Sequence, residues 1–168
     1  MKQKFLLISL LLILNIQIVS ALVIFTDSFE SGNMNSWTLS NVAGAFNWTA
    51  ATTDPHTGSW HASSNPRSTT QPASIIEKTI STVNYQNITF NYYRMLIGID
   101  AADEFQVKWF NGTGWSILEQ TGGSSANDAA YLYKEFNLSS IADNNANFAI
   151  RFECTAGATT EFCRVDNI

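Results

Sequence analysis

Positive charge is scarce in this chain. Nine Lys and Arg stand against 14 Asp and Glu in 168 residues, for a net charge of −5, and the basic residues form no cluster. Phosphate backbones are held by clustered positive charge, so nucleic acid is excluded as a partner, and an anionic membrane surface with it. Histidine is limited to His56 and His61. The chain has no HExxH, no P-loop and no Gly-x-Ser-x-Gly elbow, which removes the common signatures of metalloproteases, nucleotide enzymes and serine hydrolases. Asp54, His56, Ser59 and His61 share one Thr/Gly/Ser-rich connector. A spacing of five, however, would send the two histidines to opposite faces of a strand. A carboxylate pair for glycosidase or lyase chemistry is an alternative that no motif marks. Helical periodicity is nearly absent as well.

The one long apolar run opens the chain. Lys2 and Lys4 precede Phe5 to Val19, a stretch broken only by Ser9, Asn15 and Gln17 and followed by Val19-Ser20-Ala21. A run this short falls below the roughly 20 residues of a membrane-spanning helix, and small residues follow it. The pattern predicts a signal peptide at 1–21, with a secreted or cell-surface domain at 22–168. Losing Lys2 and Lys4 leaves seven basic residues against 14 acids, a net charge of −7. There are only two cysteines, Cys154 and Cys163, and a close pair in an exported chain predicts a disulfide. We expect it to staple the two strands of the last hairpin; two free thiols are the alternative. Sequons begin at Asn47, Asn87, Asn111 and Asn137, and Asn111, in a turn, is the best of these glycosylation candidates.

What the chain has in quantity is alternation. Ile88, Phe90 and Tyr92, then Phe105, Val107 and Trp109, then Phe148, Ile150 and Phe152 each alternate with more polar neighbours. Such runs are half-buried strands. Gly-rich turns separate them, and Asn111-Gly112-Thr113-Gly114 between Phe110 and Trp115 is a strong hairpin signal. Strands are expected near 22–26, 36–40, 45–50, 58–62, 73–80, 86–96, 104–110, 115–119, 130–137, 146–154 and 162–168. About eleven short strands with no helix predict an all-β fold, a two-sheet antiparallel jelly-roll sandwich. The 11 Phe, five Trp and five Tyr supply its core. The chain stops at Ile168 inside a predicted strand, the pattern of a module cut from a longer surface protein or of a short terminal strand.

Two constellations stand out on that scaffold. Asp27 and Glu30 follow the first strand, Asp166 lies on the last, and Asp54 sits in the Thr-Asp-Pro-His loop. Because first and last strands are neighbours in a jelly roll, these carboxylates are expected to converge on a structural Ca²⁺. The alternative is solvated turn carboxylates. The second constellation is aromatic. Trp109 is in phase with Phe105 and Val107 and belongs to the core, whereas Trp60 and Trp115 sit in polar or Gly-rich surroundings. They are the candidate platforms for a sugar ring.

Phe29-Glu30 followed by Trp37, then Trp48, then Asp54-Pro55-His56-Thr57-Gly58-Ser59-Trp60, resembles the opening of MAM domains and related concanavalin-like jelly rolls. Phe90-Asn91-Tyr92-Tyr93-Arg94-Met95 resembles their central strand, and Phe148 to Phe152 with Arg164 to Ile168 resembles their closing strands. The early cysteines of the animal family are missing, and Asn167 replaces the second Asp of the closing motif; the likeness is to a microbial relative. The resemblance implies a jelly roll with a cation held at Glu30 and Asp166, adhesion or ligand binding, and no catalysis. The expected function is a non-catalytic extracellular module recognising protein or glycan partners at the cell surface. The alternatives are a carbohydrate-binding accessory module of a larger secreted hydrolase, or a glycosidase or lyase on the same scaffold.

Overall fold

Along 89–97 and 104–110 the period-two pattern of the sequence reappears as a period-two pattern of burial. A computed structural model describes residues 22–122 and 126–168; the leader read at 1–21 and the end of the 121–124 turn lie outside them. The strands formed among the described residues are β1 (Thr38–Asn41), β2 (Thr49–Ala51), β3 (His61–Ser64), β4 (Ser74–Thr79), β5 (Thr89–Ile97), β6 (Glu104–Phe110), β7 (Trp115–Gly122), β8 (Leu132–Asn137), β9 (Ala149–Thr155) and β10 (Phe162–Asp166). They form two five-stranded sheets, ordered β1-β4-β9-β6-β7 and β2-β3-β10-β5-β8, and every pairing is antiparallel. This is the all-β jelly-roll sandwich that the strand pattern predicts. Among the described residues no helix is long and apolar enough to cross a membrane.

Three strand expectations need correction. The strand expected at 45–50 forms only over Thr49–Ala51, and the Phe46 amide donates to the Pro66 carbonyl at 3.0 Å, outside the sheet ladders. The segment at 22–26 does not form a strand, because its ladder shrinks to one reciprocal pair beside it. The Asp27 amide donates to the Ile168 carbonyl at 3.0 Å and the Ile168 amide returns the bond at 2.9 Å. First and last segments are neighbours, as expected, without a full strand between them. The strand expected at 58–62 begins only at His61. The amides of Ser59 and Trp60 donate to the Glu30 carboxylate, at 2.9 Å to Oε1 in both cases, and so are not available to a neighbouring strand.

The core lies between the sheets. Phe152 of β9 is its centre, with ring centroids 5.1 Å from Tyr92, 6.0 Å from Phe90, 6.1 Å from Trp37 and 6.3 Å from Phe105. These rings come from both sheets, and edge-on and tilted geometries predominate, as the ring quadrupole favours. Trp37, Trp48 and Trp109 are all buried. The open edge between β7 and β8 is closed by charge. Arg94 of β5 donates from Nε and Nη2 to the two oxygens of Asp128, at 3.0 and 2.9 Å, and from Nη1 to Glu119 of β7 at 2.5 Å. Tyr92 donates its hydroxyl to the same Glu119, and burial beside that carboxylate pushes the phenol far above its usual range.

The disulfide forms between Cys154 and Cys163, with Cα atoms 6.0 Å apart. The expected hairpin does not exist. β9 lies in the first sheet, where it pairs with β4 and β6, and β10 lies in the second, between β3 and β5. The bond crosses the sandwich and ties one sheet to the other from inside the core, where both cysteines are fully buried. The chain reverses over 156–161 by changing sheets, as jelly-roll strands do. Closing so short a loop is worth about 2–3 kcal/mol. The Cys154→Ser/Cys163→Ser variant is therefore expected to unfold in urea with a stability about 2–3 kcal/mol lower than the oxidised protein, and reductant should change the parent and not the variant.

Candidate functional site

The last strand has an unusual alternation. In β10, Cys163 and Val165 face the core. Arg164 and Asp166 therefore point to the outer face of the second sheet. Both are nonetheless buried, Arg164 at 6% exposure and Asp166 at 0%. On β3, Ala62 pairs with Val165 and faces the core, so His61 points outward with them. On β5, Tyr93 lies opposite Asp166 and Met95 opposite Arg164. A polar and aromatic patch thus occupies the middle of the sheet, where three strands contribute side chains to one face.

The loop before β3 covers this patch, and two carboxylates hold it there. Asp166 Oδ2 accepts from the amides of His56, at 2.9 Å, and Thr57, at 3.3 Å, while Oδ1 accepts from the Asn167 amide at 2.7 Å. Burial raises the Asp166 pKa above the usual carboxylate value, and the three amides pull against that rise. Glu30 binds the far end of the loop through Ser59 and Trp60. Asn167 adds a bond from Nδ2 to Thr57 Oγ1 at 2.7 Å, and the same nitrogen is 3.0 Å from His56 Nδ1. So fixed, the His56 ring stacks on Tyr93 with centroids 3.6 Å apart. Tyr131 completes the wall, 5.4 Å from the His56 ring and 6.4 Å from the His61 ring. Gly58 makes the arrangement possible, since it has φ of +67° and an added Cβ would lie 2.4 Å from Glu30 Oε1. Gly58→Ala is expected to destabilise the domain by about 1 kcal/mol or more, read as a lower urea midpoint.

Within this wall several polar atoms have no hydrogen-bond partner among the described residues. They are both ring nitrogens of His61, the Tyr131 hydroxyl, and Nε and Nη1 of Arg164. Buried polar atoms are rarely left so, and here they gather in one place. The nearest anion to Arg164 is Asp54 Oδ2, 3.6 Å from Nη1 and beyond hydrogen-bonding distance. Burial lowers the His61 pKa to about 4; Arg164 lowers it further, and Asp54 partly opposes. The ring is therefore neutral at pH 7. Burial also holds the Tyr131 phenol above its usual range.

The His61 shift sets a direction for stability. Between pH 6.5 and about 4 the unfolded chain takes up a proton at His61 that the folded domain refuses. Its contribution is complete above pH 6.5 and is lost as pH falls toward 4. The raised Asp166 acts in the opposite direction, and it is present in both proteins compared here. The melting temperature of the parent should therefore fall more steeply over this window than that of His61→Gln, with circular dichroism melts as the readout.

The expected site residues are dispersed. Asp27, Glu30, Asp54 and Asp166 do not converge on one point. Asp27 accepts from the Phe29 amide at 2.7 Å and from Trp37 Nε1 at 2.8 Å, Glu30 and Asp166 hold opposite ends of the loop, and Asp54 is exposed. Asp27, Glu30 and Asp166 are each taken up by separate N–H donors, whereas Asp54 has only the Arg164 charge at 3.6 Å. The carboxylates that gather within 4.8 Å among the described residues are Asp100, Asp103 and Glu161, in other loops. Trp60 is not an open platform, since its ring packs against the Gly32 turn at 3.1 Å from where a Cβ would stand. Trp115 lies on the other sheet, in a depression of about 330 Å³, with the Arg151 guanidinium 3.8 Å over its ring. Among the sequons, Asn47, Asn87 and Asn137 are exposed, whereas Asn111 is half-buried and its Oδ1 accepts from the amides of Thr113 and Gly114. The two histidines, expected on opposite faces, meet through Tyr131 because His56 sits in the folded-back loop and not on the strand.

The fold defines an all-β jelly-roll sandwich with a polar, aromatic-walled patch on one sheet. Among solved structures, the chain is similar to the K2 cleaved adhesin domain of Lys-gingipain, at 14% identity and a TM-score of 0.58, over 85% of this chain and 96% of that one. It is similar to the K3 cleaved adhesin domain of Lys-gingipain from Porphyromonas gingivalis w83, at 14% identity and a TM-score of 0.57, over 86% and 96%. It is also similar to TmCBM61, solved in complex with β-1,4-galactotriose, at 10% identity and a TM-score of 0.58, over 83% and 90%. No protein-family model matches the chain, and no curated protein matches it. At these identities the likeness is one of fold. It reaches jelly-roll adhesin and carbohydrate-binding domains, and not the MAM family in particular.

Proposed function

We propose that this chain is a non-catalytic extracellular binding module that recognises glycans, and that the outer face of the second sheet around Arg164, His61, Tyr131 and Tyr93 is its binding face. The observation that carries the reading is the gathering of unpartnered, buried hydrogen-bonding atoms beside aromatic rings. Sugars present hydroxyls to such donors and C–H faces to such rings. The fold similarity to adhesin and carbohydrate-binding domains supports it. A formed disulfide agrees with an oxidising compartment, and so with secretion or display at the cell surface.

Protein adhesion by the same face is the second reading, favoured by the adhesin likeness alone. The reading also includes a structural calcium ion near Glu30 and Asp166, which would have to exchange amide hydrogen bonds for the ion. Calcium added to chelator-treated protein raises the melting temperature if such an ion ties the chain ends together, and leaves it unchanged if amides alone hold these acids.

The deciding experiment is a glycan array with the parent, Tyr131→Ala and Trp115→Ala. Tyr131→Ala is expected to weaken binding by about tenfold or more, with cooperative melting retained, and Trp115→Ala to leave binding unchanged. Loss of binding in Trp115→Ala alone would move the site to the first sheet. A blank array from folded protein would turn the reading to protein adhesion.

A further inference from the structure

We propose that the outer-face patch around Arg164 receives the carboxylate of an acidic sugar, and that Asp54 occupies that carboxylate's place in the unliganded domain. The inference rests on the glycan-binding reading above and adds the charge of the ligand to it.

The argument begins with the guanidinium. The Arg164 side chain is 7% exposed, and Asp54 is its ion-pair partner among the described residues. A cation withdrawn from water is stable when an anion meets it with hydrogen-bonding geometry. Asp54 does not supply that geometry: it stands 3.6 Å away, its side chain is 77% exposed, and both Nε and Nη1 go without a hydrogen bond. Asp166, two residues along the same strand, cannot take over. Its oxygens accept from the amides of His56, Thr57 and Asn167. The guanidinium therefore lacks a well-seated anion, and its neighbours add donors. Tyr131 offers a hydroxyl, and neutral His61 offers one N–H and one acceptor nitrogen. This is the complement of a carboxylate with sugar hydroxyls beside it.

Asp54 is suited to yield its place. It lies in the exposed part of the loop at φ of +52°, and it holds Arg164 by charge alone. An entering carboxylate would replace one negative charge with another, so the buried cation is never left bare. A neutral sugar would leave Asp54 where it is and the Arg164 donors unmatched. At the rim, Tyr133 is 50% exposed and 5.3 Å from Tyr93, which gives the rest of the sugar an aromatic edge.

The test is a glycan array printed with uronic-acid, sialylated and neutral glycans. Each hit is then titrated calorimetrically into the full secreted domain, and each acidic hit is titrated beside its carboxyl-reduced counterpart. Acidic glycans are expected to bind, and their reduced forms to bind about tenfold or more weakly. Arg164→Lys should weaken acidic binding by about tenfold or more. If that variant does not fold, Tyr131→Phe, which removes a single hydroxyl, should weaken it by about three- to tenfold. Asp54→Asn gives the sharpest result. Asparagine tolerates positive φ, and removal of the resident carboxylate should tighten acidic binding by about two- to fivefold. Neutral hits only, equal affinity for acid and reduced sugar, or weaker acidic binding by Asp54→Asn would overturn the acidic ligand and leave the glycan-binding reading standing. Folded protein that binds no glycan but binds an acidic peptide would overturn both.

Discussion

The proposed binding face depends on one buried carboxylate. Asp166 sits at the end of the last strand with no exposure. Among the described residues no arginine or lysine pairs with it. Backbone amides from the 54–60 loop and from Asn167 satisfy it instead. Amides give direction that a flexible cation would not, and they fix the loop that carries Asp54 and His56 over the sheet. Glu30 repeats the device at the other end of the loop through Ser59 and Trp60. The loop is thus hung from two carboxylates, one near the start of the described chain and one near its end.

The outer face of the second sheet follows from that suspension. Without the loop, Tyr93 would be an ordinary exposed ring. With it, the His56 ring lies flat on Tyr93, and Tyr131 closes against both histidines. Arg164 is the consequence of greatest interest, a cation kept from water by its neighbours and left short of hydrogen-bond acceptors. The contrast with Arg94 is instructive. Arg94 is equally buried and meets Asp128 and Glu119 at close range on both edges of its guanidinium. One arginine is a finished structural joint between sheets, and the other is an open one.

The first sheet shows a different economy of charge. On its outer face Arg151 lies between Glu77, at 2.7 Å, and Glu153, and covers the ring of Trp115. Every charged group there has a partner. The sugar platform expected at Trp115 is already stacked, and its ring is held by the protein's own cation.

The sequence alone determined the fold class. Alternation along 89–97 and 104–110 survives as alternating burial, because the period of a strand is local and one face of each must be hidden, whereas 149–155, in the middle of its sheet, is buried along nearly its whole length. The Asn111 hairpin and the pairing of two lone cysteines were equally local inferences. The partners of those elements were not legible. Whether Cys163 belongs to a hairpin with Cys154 or to the opposite sheet depends on topology, which no spacing of nine residues encodes. The site suffered most. The odd polar alternation of Arg164 and Asp166 between Cys163 and Val165 was visible, yet its meaning needs β3, β5 and a distant loop brought to one face. His56 and His61 looked opposed because their spacing was judged as if both lay on a strand. Only the tertiary structure folds His56 back through Asp166, a contact 110 residues apart in the chain. Local periodicity is written in neighbouring residues, whereas a binding face is assembled from residues that become neighbours only after the sheets have packed.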